Sequence, residues 1–337
     1  MNFKHGGDVK GFALEVGCPL DEVVDLSSNI NFIKPDINID FNTIDISSYP
    51  VYDELYTNIA NLYGIENNEI ELFNGASSAI FSLFRFFDTR LCYIYSPAYL
   101  EYKKAAVIFD YHVELINRFV DLDHEVVENS LVVFVNPSTP DGSFYDIDVL
   151  LSKWMKKNCT ILIDESFIEF TMQKSCLGYI KSYEKLFILK SLTKFYSCAG
   201  VRIGSVVSSA KNIENIKKYE PMWKISELDM TYVNEVIKDK KFPQISKAIN
   251  ITNKEYLVKI LKNFKYTNHI FDSSANFVLV QLKTINASKL QELLKPYKIM
   301  IRNCSNFDFL DDEFVRVAVK STKNLEKLKK ALDSICI

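Results

Sequence analysis

Several short segments of this chain begin as nearly unbroken apolar runs. They are LCYIYSP (91–97), LVVFVNPSTPDG (131–142), CTILIDESF (159–167), KLFILKSLTK (185–194) and VRIGSVVSS (201–209). Runs of Val, Ile, Leu and Phe without alternation suit strands whose sheet is covered on both faces. Between them the period changes. ASSAIFSLFRFF (76–87) repeats its apolar residues at three and four, and YDIDVLLSKWMKK (145–157) does the same after an acidic start. Alternating strand and helix signals predict an α/β unit around a mostly parallel sheet.

The last hundred residues carry another pattern. ISKAINITNKEYLVKILKNF (245–264) reads as a helix with charged faces. ANFVLVQL (275–282) and EFVRVAVKS (313–321) read as strands. KLQELLKPY (289–297) and NLEKLKKALDSICI (324–337) read as helices. These predict a smaller α+β unit, with the change of pattern falling near residues 238–243. No internal repeat or low-complexity linker interrupts the chain.

Composition narrows the class without naming it. At 337 residues the chain has room for about two domains. Its 48% hydrophobic and 25% charged content exclude a disordered or fibrous protein. The net charge is −3 and no strongly basic block stands out, so no nucleic-acid partner is expected. No apolar run approaches the ~20 residues of a membrane helix, so no membrane partner is expected. The opening MNFKHGGDVKGFALEVG lacks the apolar stretch of a signal peptide. The seven cysteines show no CxxC spacing and only four histidines accompany them. Reduced thiols, a cytoplasmic location and no metal site are the expectations.

Candidate chemistry lies where an open α/β sheet binds its ligands, at the C-terminal ends of the strands. Those ends carry Tyr99, then Ser138 and Thr139, then Asp164 and Glu165, then Ser191 and Lys194, with Arg202 eight residues further on. SLTK followed by AGVRIG gathers a hydroxyl, an amine and a guanidinium around one turn. That set suits an anionic aldehyde: a lysine for a Schiff base, Ser191 and Arg202 for a phosphate, and Asp164 for a pyridinium nitrogen. NGASSAIF (74–81) adds a helix N-terminus after a glycine turn, a ready anion site. Glu165 and Glu169 read as structural or solvated, and Cys198 and Cys304 as packing residues.

In this order, NGASSAI, YSPAY, NPSTPDG, IDESFIEF and SLTKFYSCAGVRIG resemble the fold type I pyridoxal-phosphate enzymes of the class I/II aminotransferase superfamily. HGG (5–7), DLSSNIN (25–31), YP (49–50) and IRNCSNF…FVRVAVKS (301–321) resemble, more narrowly, the threonine-phosphate decarboxylases of cobalamin biosynthesis, which are similar to the histidinol-phosphate aminotransferases. The resemblance implies a large domain of residues 36–237 with a mostly parallel, seven-stranded type of sheet. It implies a small domain built from both chain ends, residues 1–35 and 238–337, and a homodimer with shared active sites. It implies pyridoxal 5'-phosphate on Lys194, with Asp164 at the ring nitrogen and Tyr99 stacked on the ring. Ser191, Arg202 and the Ala76 and Ser77 amides would hold its phosphate, and Tyr49 would reach the phosphate of the neighbouring subunit. Arg316 would take the substrate carboxylate, and His5, Asn29 and Arg302 the phosphate of a small phosphorylated amino acid.

Two positions depart from the family pattern. NPSTPDG stands for NPNNPTG, putting Thr139 where the second Asn bonds the cofactor's 3-oxygen. Phe167 stands where a tyrosine often donates to the same oxygen; the decarboxylases resemble this chain in having a phenylalanine there. Three readings follow: a decarboxylase of an O-phospho-amino acid, an aminotransferase of the histidinol-phosphate type, or a binding module that kept the fold and lost the chemistry. Intact Lys194, Asp164 and Arg202 argue against the last.

Overall fold

The computed structural model describes residues 6–336. Strand β1 (Val24–Asp25) precedes the seven strands of the main sheet. These are β2 (Ile70–Phe73), β3 (Leu91–Ser96), β4 (His112–Asn117), β5 (Leu131–Val135), β6 (Thr160–Asp164), β7 (Leu186–Lys190) and β8 (Gly204–Val207). Their order in space is β2-β8-β7-β6-β5-β3-β4. Only β8 runs against its neighbours; the remaining pairs are parallel. The mostly parallel sheet expected from the apolar runs is therefore present.

Burial explains why these segments are strands. Every residue of β2, β5, β7 and β8 is buried, and apolar clusters lie on both faces of the sheet. Each fully buried Val, Leu, Ile or Phe contributes about 1.5–3 kcal/mol, which outweighs any local propensity. The apolar pattern does not predict β4, and the reason is its place at the sheet edge. His112 is exposed, while Val113, Glu114 and Leu115 are only half-buried, so no continuous run marks the segment.

The second part of the chain forms β9 (Thr267–Ile270), β10 (Phe277–Leu282), β11 (Ile299–Met300), β12 (Arg302–Asn303) and β13 (Phe314–Ala318). Four of them make an antiparallel sheet, β12-β13-β10-β9. β11 instead pairs in parallel with β1 near the N-terminus. Val24 and Leu26 join one apolar cluster with β10, β13 and the helices Ala287–Leu294 and Thr322–Ile335. The long helix Phe242–Lys262 packs on both sides: Phe242 enters the cluster of the main sheet, and Leu257, Ile260 and Leu261 enter that of the small one. Among the described residues no helix is long and apolar enough to cross a membrane.

Parallel strands β3, β5, β6 and β7 end on one edge, so their following loops converge. β8 returns beside β7 and brings Gly204 against the start of the helix Gly75–Phe86. A Cβ on Gly204 would overlap the Ala76 backbone nitrogen, and one on Gly75, at φ +82°, would overlap the Arg202 guanidinium. Close approach of β8 therefore needs a residue without a side chain. Gly204→Ala is expected to cost about 1–3 kcal/mol in denaturant unfolding, because the obstruction is backbone and cannot swing aside. An unchanged midpoint would show that this contact relaxes freely.

Candidate active site

The converging loops enclose a cavity of about 260 Å3. Its floor comes from the strand ends. Asp164 closes β6, and its register partners are Val135 of β5 and Leu189 of β7. Its Oδ1 accepts the Ser166 N–H at 2.8 Å and its Oδ2 accepts the Tyr102 hydroxyl at 2.7 Å. Asp164 is the one carboxylate among the residues lining the cavity.

Lys194 enters from the short helix Leu192–Phe195, capped by Ser191 at the end of β7. The helix is tied down from a distant part of the chain. The Asn31 N–H donates to the Lys194 carbonyl at 3.0 Å, and the Asn31 amide donates to the Phe195 carbonyl and to Ser246 Oγ, both at 2.7 Å. The surface Lys194 keeps faces the cavity, and its Nζ lies 5.3 Å from the Phe167 ring centroid. Among the described residues this amine has no salt-bridge partner. Burial lowers its pKa; Arg202 and Arg316 push the same way, and Asp164 opposes them. The neutral, nucleophilic amine is thus reached at lower pH than in a free lysine.

Two more elements complete the walls. The helix Gly75–Phe86 presents its N-terminal Ala76 and Ser77, and Ser77 Oγ lies 3.2 Å from the Tyr99 hydroxyl. Arg202 reaches in after donating to the Ala199 carbonyl at 2.9 Å. Unpaired amides at a helix start, a serine and a guanidinium form a donor set for a phosphate.

The opposite wall belongs to the small sheet and the N-terminal segment. Arg302 and Arg316 are directly opposite each other in the β12–β13 pair, and both are buried. Arg316 donates to Thr139 Oγ1 and to the Ser27 carbonyl, each at 3.1 Å, while its buried Nε has no partner. Burial lowers the Arg316 pKa to about 10 and also lowers that of Arg302. Arg302 donates to Asn306 Oδ1 at 2.7 Å and lies 5.5 Å from the Phe307 ring centroid.

Most of the residues singled out in the sequence meet in this one cavity. Ala76, Ser77, Tyr99, Thr139, Asp164, Ser191, Lys194 and Arg202 line it, together with Asn29, Arg302 and Arg316. Tyr49 does not. It is 71% exposed and stacks on Trp223, with ring centroids 4.1 Å apart. His5 lies outside the described residues. Glu165 is turned away, buried against Lys190 at 3.1 Å, Ser175 and the Cys176 N–H. Sequence reasoning missed Tyr102, Ser166, Thr193 and Phe307. The aromatic spacing Tyr99–Tyr102, one helical turn, was the available signal for the first.

The donor set and the two glycine cradles fit pyridoxal phosphate: an amine for its aldehyde, a carboxylate at the cavity floor and a phosphate site at the helix start. Fold and site together define a fold type I pyridoxal-phosphate enzyme. The family model for aminotransferase class I and II matches residues 24–335, and the chain belongs to that family, whose members use pyridoxal phosphate. The chain is 32% identical to the adenosylcobalamin biosynthesis bifunctional protein CobDQ of Leptospira interrogans, over 98% of this chain and 41% of that protein. It thus spans less than half the length of that relative. The histidinol-phosphate aminotransferase structure from Clostridium acetobutylicum matches with a TM-score of 0.81 and 31% identity, covering 92% of this chain and 98% of the other. The L-threonine-O-3-phosphate decarboxylase from Porphyromonas gingivalis shares the fold, with a TM-score of 0.76 and 20% identity over 99% and 97% of the two chains.

Borohydride reduction of the cofactor-loaded protein is expected to label one peptide, that of Lys194, and to leave Lys194→Ala unlabelled in peptide mapping. Uptake of cofactor by the stripped protein should rise with pH and reach half its plateau below the ordinary lysine value of 10.5. Label on another lysine would remove Lys194 from the reaction.

Proposed function

We propose that this enzyme decarboxylates an O-phospho-amino acid, converting L-threonine O-3-phosphate to (R)-1-aminopropan-2-yl phosphate or L-serine phosphate to ethanolamine phosphate. The observation that carries this reading is the Arg302–Arg316 pair. Two buried guanidiniums set side by side across adjacent strands repel one another. A substrate with two anionic groups, a carboxylate and a phosphate, offsets that repulsion at both sites. Histidinol phosphate carries only one.

Bound pyridoxal phosphate supplies an aldehyde that captures the substrate amine and a ring that accepts the electron pair left when a bond to the amino carbon breaks. The chain's own residues do the rest. Asp164 would keep a proton on the ring nitrogen, Tyr99 would cover the ring, and Ser191, Arg202 and the Ala76 and Ser77 amides would hold the phosphate. Arg316, fixed by Thr139 and Ser27, orients the substrate carboxylate, and its unpartnered Nε is free to donate. Arg302 and Asn29, with His5 from the N-terminus, take the substrate phosphate. Remote phosphate binding then orients the reacting bond. Carbon dioxide leaves with its electron pair left on the amino carbon, and the Lys194 ammonium returns a proton to that carbon. An aminotransferase of the histidinol-phosphate type would use the same residues, with Lys194 removing the hydrogen from that carbon instead.

Purified, cofactor-loaded enzyme is expected to release carbon dioxide from O-phospho-threonine or O-phospho-serine over many turnovers with no keto acid present. Arg302→Ala should lower kcat/KM by about 10- to 100-fold, the worth of a hydrogen bond to a charged group. Absence of carbon dioxide, together with amine transfer from histidinol phosphate to a keto acid, would replace this reading with the aminotransferase.

The exposed Tyr49, Val51, Met222 and Trp223 support a second copy of the chain as partner. Family members are typically homodimers, and Tyr49 would then enter the partner's cavity. Sedimentation should give a two-chain mass, and Tyr49→Ala should weaken cofactor binding. A monomer with full cofactor affinity would contradict this. Seven free thiols suit a reducing, cytoplasmic setting, and the product suits cobalamin biosynthesis.

A further inference from the structure

We propose that Tyr102 is a positioning residue for Asp164: its hydroxyl holds the carboxylate in orientation and keeps the shared proton on the ring nitrogen of the cofactor. Tyr102 lies in the first turn of the helix Leu100–Ile108 and is completely buried. It has no contact with the cavity, so substrate binding does not explain it. Its hydroxyl is 2.7 Å from Asp164 Oδ2, across 62 residues of chain.

Proton bookkeeping fixes the direction of that bond. The Ser166 N–H already donates to Oδ1, so both carboxylate oxygens are acceptors and Tyr102 is the donor. Burial, and the neighbouring Asp164 charge, push the Tyr102 pKa well above its ordinary value, so the phenol keeps its proton at any working pH. Two donors on the carboxylate stabilise its charged form. Both oxygens of the carboxylate so held are engaged as acceptors and its orientation is fixed. When it meets a protonated ring nitrogen, the proton stays on nitrogen, where it strengthens the electron sink. Without the phenol, one of the two donors that hold the carboxylate is lost, and the proton is kept less firmly on the ring nitrogen.

The same helix turn carries a second constraint. Tyr99 is the residue before the helix, and its ring meets Tyr102 edge-to-face at 6.4 Å. Ala105 and Ala106, both fully buried, let the helix lie close to the sheet. One turn therefore sets both the group over the ring and the group behind the ring's acid. This inference rests on the placement of Asp164 at the ring nitrogen, and not on the choice between decarboxylation and transamination.

The test uses holoenzyme loaded with pyridoxal phosphate labelled with 15N in the ring, in which the nitrogen shift reports protonation directly. Wild-type enzyme should show a protonated nitrogen. Tyr102→Phe, which removes only the hydroxyl, should move the shift toward the unprotonated position and lower kcat about tenfold, with KM little changed. A fluorinated tyrosine at position 102, a stronger donor, should move the shift the other way or leave it fully protonated, with kcat retained. An unchanged nitrogen shift in Tyr102→Phe overturns the proposal, whatever happens to stability or activity. An unprotonated nitrogen in the wild type overturns it together with the role of Asp164. Carbon dioxide release is not part of this readout, so failure of the decarboxylase reading is scored separately.

Discussion

The buried charge of the cavity is the constraint on which the rest of this structure depends. Lys194, Arg202, Arg302 and Arg316 line it, and Asp164 alone answers them. At an effective dielectric of ~20, two like charges ~8 Å apart repel by about 2 kcal/mol. Several such pairs are held together by packing elsewhere: the two-sided sheet, the apolar cluster of the small unit and the helix Phe242–Lys262 that enters both. Burial lowers the pKa values of Lys194, Arg302 and Arg316, and neighbouring cations add to the effect at Lys194 and Arg316. Anionic ligands relieve the repulsion, so binding and stability are linked through this one cavity.

The N-terminal segment holds the two halves of the site in register. β1 pairs with β11, the Ala318 N–H donates to the Leu26 carbonyl, and the Ser27 carbonyl accepts from Arg316. A few residues on, Asn31 grips the Lys194 helix and Ser246 at once. Asn250 donates to Asn31 Oδ1, closing a buried polar network. Residues 24–31 thus run from Arg316 to the Lys194 helix. Asn29, placed by the sequence among the substrate-binding residues, sits on this strap, with its carbonyl accepting from Asn276. A fixed strap makes the spacing between the two arginines and Lys194 a property of the fold rather than of side-chain choice.

What could be read from the chain follows the range of the interactions. Buried strands announce themselves locally, because each residue must be apolar to lie between two covered faces. Lys194, Asp164 and Arg202 were legible because parallel strands deliver their C-terminal ends to one edge. Arg316 was not legible from its alternation with Val315 and Val317, which points it away from the apolar face and toward solvent. Its face of the small sheet, shared with Phe277 and Leu279 of β10, is instead met by Thr139 from elsewhere in the chain. Tyr102 was missed for a related reason: its spacing from Tyr99 marks a helical turn, but the partner that gives it a role lies 62 residues away. Tyr49 stays mostly exposed, stacked only on Trp223 of its own chain.

Thr139 shows how a single departure from the family pattern bears on the chemistry. An asparagine there offers two N–H donors and a carbonyl acceptor, whereas a threonine has one hydroxyl. Arg316 donates to that hydroxyl oxygen, and a guanidinium has no lone pair to take a proton back. The Thr139 proton must therefore point away from Arg316, and the residue lines the cavity. The single hydroxyl thus couples the arginine proposed for the carboxylate to the space the cofactor fills. Phe167 contributes no donor, so Asp164, held by Tyr102 and Ser166, would carry more of the polarisation of a bound cofactor. If Arg316 takes the substrate carboxylate as proposed, reaction choice would turn on how firmly it holds that group. A difference of 1.36 kcal/mol between two orientations is about a tenfold preference for one broken bond over the other, which is within the reach of the one hydrogen bond that Arg316 donates to Thr139.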